Sequence, residues 1–310
     1  MKSIVDVTVL SEYDGLRVDK FLATMLKKQF SRARIQKSIV NGGLTINGIV
    51  VLQPRTCLHA NDRCQLQITP TEEVRLKPGK GSLDILYEDA DLLVVNKPSG
   101  QVVHFGNGVE LGTTLTEAVL AHCSLSTAAG ALRPGVVHRL DQATSGVMLF
   151  AKTDAAYREL TRAFAERRIH KTYHAWVYGI PKLHSGIIDA PIGRSTRDRT
   201  AMCVTTKGRS SCTHWECLSI FPNINQALLL CRPITGRTHQ IRVHLKYIGH
   251  PIVGDTKYGK AENPPSERLF LHAYQIELDH PITQKACFFT APLPKAFSDK
   301  LERMRTEEGR

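Results

Sequence analysis

The 310-residue chain contains no Cys-x-x-Cys pair, no Gly-rich phosphate loop and no apolar run of membrane-spanning length. Its eight cysteines, Cys57, Cys64, Cys123, Cys203, Cys212, Cys217, Cys231 and Cys287, are scattered singly. Zinc ribbons and dithiol redox centres need close pairs, so neither is expected, and the thiols read as buried residues in a reducing compartment. A membrane helix needs about 20 consecutive apolar residues, which excludes a spanning helix. Internal repeats and low-complexity segments are also missing. Acidic charge is in short supply: 29 Asp and Glu stand against 41 Lys and Arg, a net charge of +12. Such an excess favours a polyanionic partner, because each phosphate neutralised by Lys or Arg releases counterions. Solubility alone would account for the excess equally well; the clustering of the basic residues decides for nucleic acid. The first ten residues alternate apolar side chains with Lys2 and Asp6. They are expected to form a strand, not a signal or transit peptide, which makes the cytoplasm the expected location.

What is present divides the chain into a small module and a large one. In the first, Leu16, Phe21, Leu22, Met25 and Leu26 give an apolar face to a helix over 14–28. Ser31 caps a second helix carrying Ile35, Ile39 and Val40, and Asn41-Gly42-Gly43 ends it. Two β-prone runs, 44–46 and 49–51, flank Asn47-Gly48, the strongest local signal for a hairpin with a type I′ turn. Residues 1–70 hold ten Lys and Arg against five Asp and Glu. Arg32, Arg34 and Lys37 on the second helix can face solvent, a basic cluster suited to nucleic acid. The polar, Pro- and Gly-containing stretch 69–81 reads as a linker. Beyond it come strand-like runs at 83–87, 92–96, 146–151, 173–178 and 227–232, and a helix at 154–168 with Ala156, Leu160, Ala163 and Phe164 inward. Without a steady βαβ alternation, the pattern implies an α+β fold with a mixed, mostly antiparallel central sheet and helices packed on it.

Four segments concentrate polar chemistry. Asn96-Lys97-Pro98-Ser99-Gly100 follows a hydrophobic strand, with His104 beyond it. His138-Arg139-Leu140-Asp141, with Thr144-Ser145-Gly146, lies in a loop between two apolar strands. An isolated Asp there would merely organise the turn, but a histidine, a guanidinium and a carboxylate together are unusual in a connector. Lys171-Thr172-Tyr173 opens a strand on which Tyr173, Ala175 and Val177 share one side. A Tyr on a small apolar face can support a flat ring, although periodicity alone reads Tyr173 as ordinary core. The fourth segment runs from Gly236-Arg237-Thr238-His239-Gln240-Ile241-Arg242 through Gly254-Asp255 to Tyr258-Gly259. Thr238 is expected to cap a helix with Ile241, Leu245 and Ile248 inward, leaving Arg242 and Lys246 on a different face. An Arg on a rigid helix can orient a carboxylate. His239 and His244 lack the HExxH spacing of a zinc helix, so no metal is expected. The stretch 193–211, with Arg194, Arg197, Arg199, Lys207 and Arg209 against Asp198, reads as a basic loop laid along phosphates or simply solvated.

Gly15-Leu16-Arg17-Val18-Asp19-Lys20-Phe21-Leu22, Ser31-Arg32 and Gly43-Leu44-Thr45-Ile46-Asn47-Gly48 together resemble the S4 RNA-binding domain. A module of the same shape used for protein contacts is the alternative. The four segments, over nearly the whole chain, resemble the RluA family of pseudouridine synthases, most closely the large-ribosomal-subunit RluC/RluD type with an N-terminal S4 domain. The resemblance implies an S4-like domain at 1–68, a linker at 69–81 and a catalytic domain of the pseudouridine synthase fold at 82–310. It implies isomerisation of uridines in structured RNA, with large-subunit ribosomal RNA or its assembling particle as partner. It assigns Asp141 to glycosidic bond cleavage, as nucleophile or as base. Tyr173 packs on the base and assists proton loss from C5, and Arg242 pairs with the Asp141 carboxylate. Arg139 holds the nucleotide out of its stack, and His138 and Arg237 are placed beside it as substrate contacts. Because the reaction neither oxidises nor removes a group, no cofactor is expected; neither is a membrane, and a monomer is the default. A non-catalytic ribosome-assembly factor is the competing class, and the trio Asp141, Tyr173 and Arg242 counts against it. A transfer RNA substrate stays open, as does an N-glycosidase, which would release free uracil.

Overall fold

The computed structural model describes residues 3–27, 29–68, 76–79, 81–106, 108–259, 266 and 268–308. The chain divides into two compact units, Met1–Val74 and Arg75–Arg310. Most of the stretch read as a linker, 69–75 and 80, lies outside the described residues.

The smaller unit contains β1 (Ser3–Thr8), α1 (Val18–Met25), α2 (Arg32–Val40), β2 (Leu44–Ile46), β3 (Ile49–Val50) and β4 (Arg63–Ile68), its sheet ordered β1-β4-β2-β3. Ser31 caps α2 by accepting from the Arg34 N–H. Asn47 and Gly48 turn the β2–β3 hairpin with φ of 51° and 82°, the double positive φ of a type I′ turn. The first helix is shorter than its apolar pattern: a 3-10 turn at Ser11–Tyr13 precedes it, and Lys28 lies outside the described residues. Phe21, Leu22, Ile35, Ile39, Leu44 and Leu66 are fully buried between the helices and the sheet.

The larger unit is built on a nine-stranded sheet. Its strands are β5 (Ile85–Glu88), β6 (Leu92–Lys97), β7 (Ser145–Ala151), β8 (His170–Tyr178), β9 (Ser185–Asp189), β12 (Cys212–Phe221), β13 (Gln226–Pro233), β14 (Leu271–Asp279) and β15 (Ala286–Thr290). The order is β5-β6-β7-β14-β8-β13-β12-β9, with β15 paired to β14. Among the described residues every pairing in it is antiparallel except one, β7 with β14, which joins only Ser145 to His272 and Gly146 to Ala273. The helices are α3 (Leu115–His122), α4 (Asp154–Ala165), α5 (Gln240–Tyr247) and α6 (Lys295–Glu308). All of β7 is buried, because α4 covers one face through Ala156, Leu160 and Ala163 and α3 covers the other through Leu115 and Val119. Among the described residues no helix is long and apolar enough to cross a membrane.

The structure corrects further local expectations. Helix α4 stops at Ala165 instead of running to residue 168, because Arg167 turns left-handed (φ 60°) and Arg168 N–H bonds back to the Ala163 carbonyl. The stretch 193–211 is not a plain loop: β10 (Ile192–Arg194) and β11 (Met202–Val204) pair antiparallel within it. Tyr258 Oη accepts from Met202 N–H, and Lys257 Nζ donates to the Thr200 carbonyl, tying this hairpin to the turn beyond α5.

Gly146 sits at the parallel junction with φ +115°, and a Cβ on it would lie 2.1 Å from the Ala273 carbonyl oxygen. Backbone cannot yield there without parting β7 from β14. Gly146→Ala is therefore expected to destabilise the larger unit by on the order of 3 kcal/mol. Denaturant unfolding of the purified variant measures this; an unchanged midpoint would show that the junction relaxes freely.

Candidate active site

The site lies beside that junction. Thr144 and Leu271, each one residue before a paired position, line a cavity of about 480 Å³ together with Asp141, Tyr173, His239 and Arg242. This is the size range of small-ligand pockets.

Asp141 stands on the loop leading into β7, and that loop is clamped from below. Lys97, fully buried at the end of β6, donates from Nζ to the carbonyls of Pro98 (2.7 Å), Gln101 (2.9 Å) and Gln142 (3.0 Å). Three acceptors use all three N–H bonds of an ammonium group. Burial nevertheless pushes Lys97 down to about 7, against the pull of the Asp141 carboxylate. Ser99 Oγ donates to the Ala143 carbonyl (2.6 Å) and Gly100 N–H to that of Gln142 (2.8 Å). The first and second polar segments are thus a single clasp, and its product is a fixed Asp141.

Arg242 faces Asp141 from α5. Its Nη1 donates to Asp141 Oδ2 at 3.2 Å, while Nε and Nη2 each donate to Asp255 at 2.8 Å. Asp255, whose side chain is wholly buried, also accepts from the N–H groups of Lys257 and Tyr258, both at 3.0 Å. Burial alone would raise the Asp255 carboxyl, but the hydrogen bonds and charge of Arg242 outweigh it and hold the group below its ordinary value. The bidentate bond sets the guanidinium plane, so Nη1 is aimed before any substrate arrives.

Tyr173 lies on β8, and its neighbour two residues back, Lys171, lines the same cavity. Burial, then the Asp141 carboxylate, raises the Tyr173 phenol above its ordinary value, so the group is present as O–H. His138 is placed differently from a simple substrate contact. Its Nε2 accepts from Leu149 N–H at 2.9 Å and its ring stacks on Phe164, so it braces the cavity wall. Burial, helped by the Lys171 charge, pushes it down to about 3. Arg139 is exposed and lines the cavity, as does Arg237, which donates from Nε to the Ser210 carbonyl.

Arg32, Arg34 and Lys37 belong to the other unit. Arg32 shares the buried Asp19 carboxylate with Arg17 and Gln36, and with Arg17, Lys37 and Arg55 it lines a basic groove of its own unit. Arg34 is half-buried over the Phe30 ring at 5.0 Å, not fully in solvent as expected.

Sequence reasoning singled out Asp141, Tyr173 and Arg242 but gave no role to Lys97, Lys171, His239, Asp255 or Tyr258. All five stand inside the segments it quoted; what it lacked was the pairing. The expected helix cap was also misplaced. His239, left-handed at φ 57°, is the N-cap residue of α5 and makes no side-chain cap. Gln240, the first residue of the helix, instead ties down the segment before it, its Oε1 accepting from Arg237 N–H and Thr235 Oγ1.

Residues 91–247 match the sequence family described as RNA pseudouridylate synthase. An uncharacterised RNA pseudouridine synthase, YlyB, of Bacillus subtilis (strain 168) is 39% identical, covering 97% of this chain and 98% of its own. The ribosomal large subunit pseudouridine synthase D of Vibrio vulnificus (strain CMCP6) is 37% identical, covering 97% and 94%. Among solved structures, human RNA pseudouridylate synthase domain containing 1 superposes with a TM-score of 0.56 at 27% identity, covering 74% of this chain and 98% of that one.

Proposed function

The chain belongs to the RNA pseudouridylate synthase family, and from that premise we propose that it isomerises uridines of large-subunit ribosomal RNA to pseudouridine. The observation that carries the reading is a carboxylate, Asp141, held by an arginine that a second, buried carboxylate has already oriented. A uridine inside a helix cannot turn about its glycosidic bond, so it must be flipped into the cavity at a cost of a few kcal/mol. Exposed Arg139 is suited to fill the vacated space or hold a phosphate. Asp141 then acts on the ribose, at C1′ as a nucleophile or at C2′ as a base, and the C1′–N1 bond breaks. The detached ring turns and C5 bonds to C1′. Loss of the C5 proton and gain of one at N1 complete an isomerisation that needs no outside reagent. Tyr173, a neutral phenol on the cavity wall, supports the ring through the turn.

The smaller unit is assigned as an S4-like module that adds affinity for structured RNA through Arg32, Lys37 and their basic groove. The test is to incubate the protein with unmodified large-subunit ribosomal RNA and, separately, with unmodified transfer RNA, then map pseudouridine. Modification of the ribosomal RNA at discrete positions is the expected result. Modification of the transfer RNA alone would overturn the substrate, and release of free uracil would overturn the reaction.

A further inference from the structure

His239 occupies a conformation that non-glycine residues adopt at a cost, left-handed at φ 57° and ψ 21°. No capping bond repays that strain, since its side chain makes none to the helix. The side chain is instead wired to Tyr258. Tyr258 Oη accepts from Met202 N–H at 2.9 Å, and lies 2.7 Å from His239 Nδ1. The phenol has one proton to give, and among the described residues Nδ1 is the one acceptor within reach of the buried Tyr258 O–H, so that proton goes to Nδ1. Burial raises the Tyr258 phenol, so the proton stays available, and burial lowers His239 against the pull of Asp141, so the imidazole is neutral at pH 7. A neutral ring accepting at Nδ1 carries its hydrogen on Nε2.

That Nε2–H stands 3.8 Å from Asp141 Oδ1, too far for a hydrogen bond. Asp141 therefore does not use it, and His239 lines the cavity with a donor fixed in direction and unspent on the carboxylate. Charge must appear at this place if the proposed reaction is correct. When C1′–N1 breaks, the bonding pair stays with the base, which becomes a uracil anion with charge on N1 and the carbonyl oxygens.

We propose that His239 is a catalytic residue whose Nε2–H, locked by Tyr258, hydrogen-bonds the uracil as it detaches and stabilises the anion until C5 bonds to C1′. The assignment rests on the pseudouridine synthase reading. No proton is transferred in this step: the histidine donates a hydrogen bond, and the base keeps the electron pair until it rejoins the ribose. A preorganised neutral donor at a developing anion is among the largest single contributions a protein makes to a rate.

The experiment compares His239→Ala, His239→Gln and Tyr258→Phe with wild type in single-turnover assays on RNA carrying either uridine or 5-fluorouridine at the target. Removing the donor in His239→Ala is expected to lower the single-turnover rate constant by about 10²–10³-fold with little change in the half-saturating enzyme concentration. His239→Gln restores an N–H at comparable reach and should recover much of the rate. Tyr258→Phe should fall between them and add little to His239→Ala, since it acts through the same nitrogen. Fluorine stabilises the detached base by itself, so the His239→Ala deficit in consuming 5-fluorouridine should shrink. A merely structural histidine would give equal losses on both substrates, no rescue by Gln and a lowered melting temperature, and that result overturns the assignment. Wild-type activity in His239→Ala overturns it too. If wild type itself forms no pseudouridine on any RNA, the functional reading falls first and the assignment with it.

Discussion

Asp141→Asn is expected to bind target RNA as tightly as wild type and to form no detectable pseudouridine. The substitution keeps the shape of the side chain and leaves the clamp beneath it intact, because Lys97, Ser99 and Gly100 hold backbone carbonyls of Gln142 and Ala143. Arg242 keeps both bonds to Asp255. What disappears is the group that acts on the ribose. Loss of a general base lowers kcat by about 10²–10⁴-fold, and loss of an attacking nucleophile costs more. Pseudouridine mapping, a binding isotherm on the same RNA and a melting curve separate the cases. Near-wild-type product from Asp141→Asn would remove this residue from the chemistry.

The second large effect concerns stability and activity together. Arg242 and Asp255 form a bidentate pair whose side chains are 9% and 0% exposed. Removing one partner of a buried pair strands the other, at a cost of about 3–5 kcal/mol. Asp255→Asn alone is expected to lose that stability and most activity, because the guanidinium is no longer aimed at Asp141. Replacing both, as Arg242→Met with Asp255→Asn, removes the stranded charge, while the Asn oxygen still accepts from Lys257 and Tyr258 N–H. The double variant should regain much of the stability and none of the activity. Recovery of both would show that the pair serves folding alone. Acid titration adds a signed check. The folded Asp255 carboxyl lies below its ordinary value of 3.8, so its contribution is complete above that value and is lost as pH falls through the folded one. The acid limb of unfolding should accordingly be shallower in Asp255→Asn than in wild type.

Local chemistry was legible wherever it was decided locally. Asn47-Gly48 dictated its turn, Ser31 its cap, and the apolar stripe of 154–165 its helix. Asp141 and Arg242 could be paired only through family resemblance, since 101 residues separate them and no spacing rule spans that distance. Asp255 was illegible for the same reason: a carboxylate in a turn becomes an anchor only when α5 lays Arg242 against it. The hairpin inside 193–211 depends on Tyr258, more than fifty residues further on, which polar composition does not reveal. The central strand β14 was missed because His272, Gln275, Glu277 and Asp279 break up its apolar run. His272 belongs there, since its Nδ1 meets Ser145 Oγ at 2.8 Å, across the junction with β7.

That junction has a consequence for biosynthesis. Strands β5, β6 and β7 can assemble as soon as they leave the ribosome, and β8, β9, β12 and β13 can do so after them. Each group then presents one bare inner edge, β7 on one side and β8 on the other, and neither can pair correctly until residues 271–279 emerge to fill the gap. Unpaired edges held open during translation are sites of misassociation. The nascent chain is therefore most exposed to chaperones and proteases just before β14 arrives. It gains its cavity in a single late event, so a prematurely terminated polypeptide is a folding casualty and not a weakened enzyme.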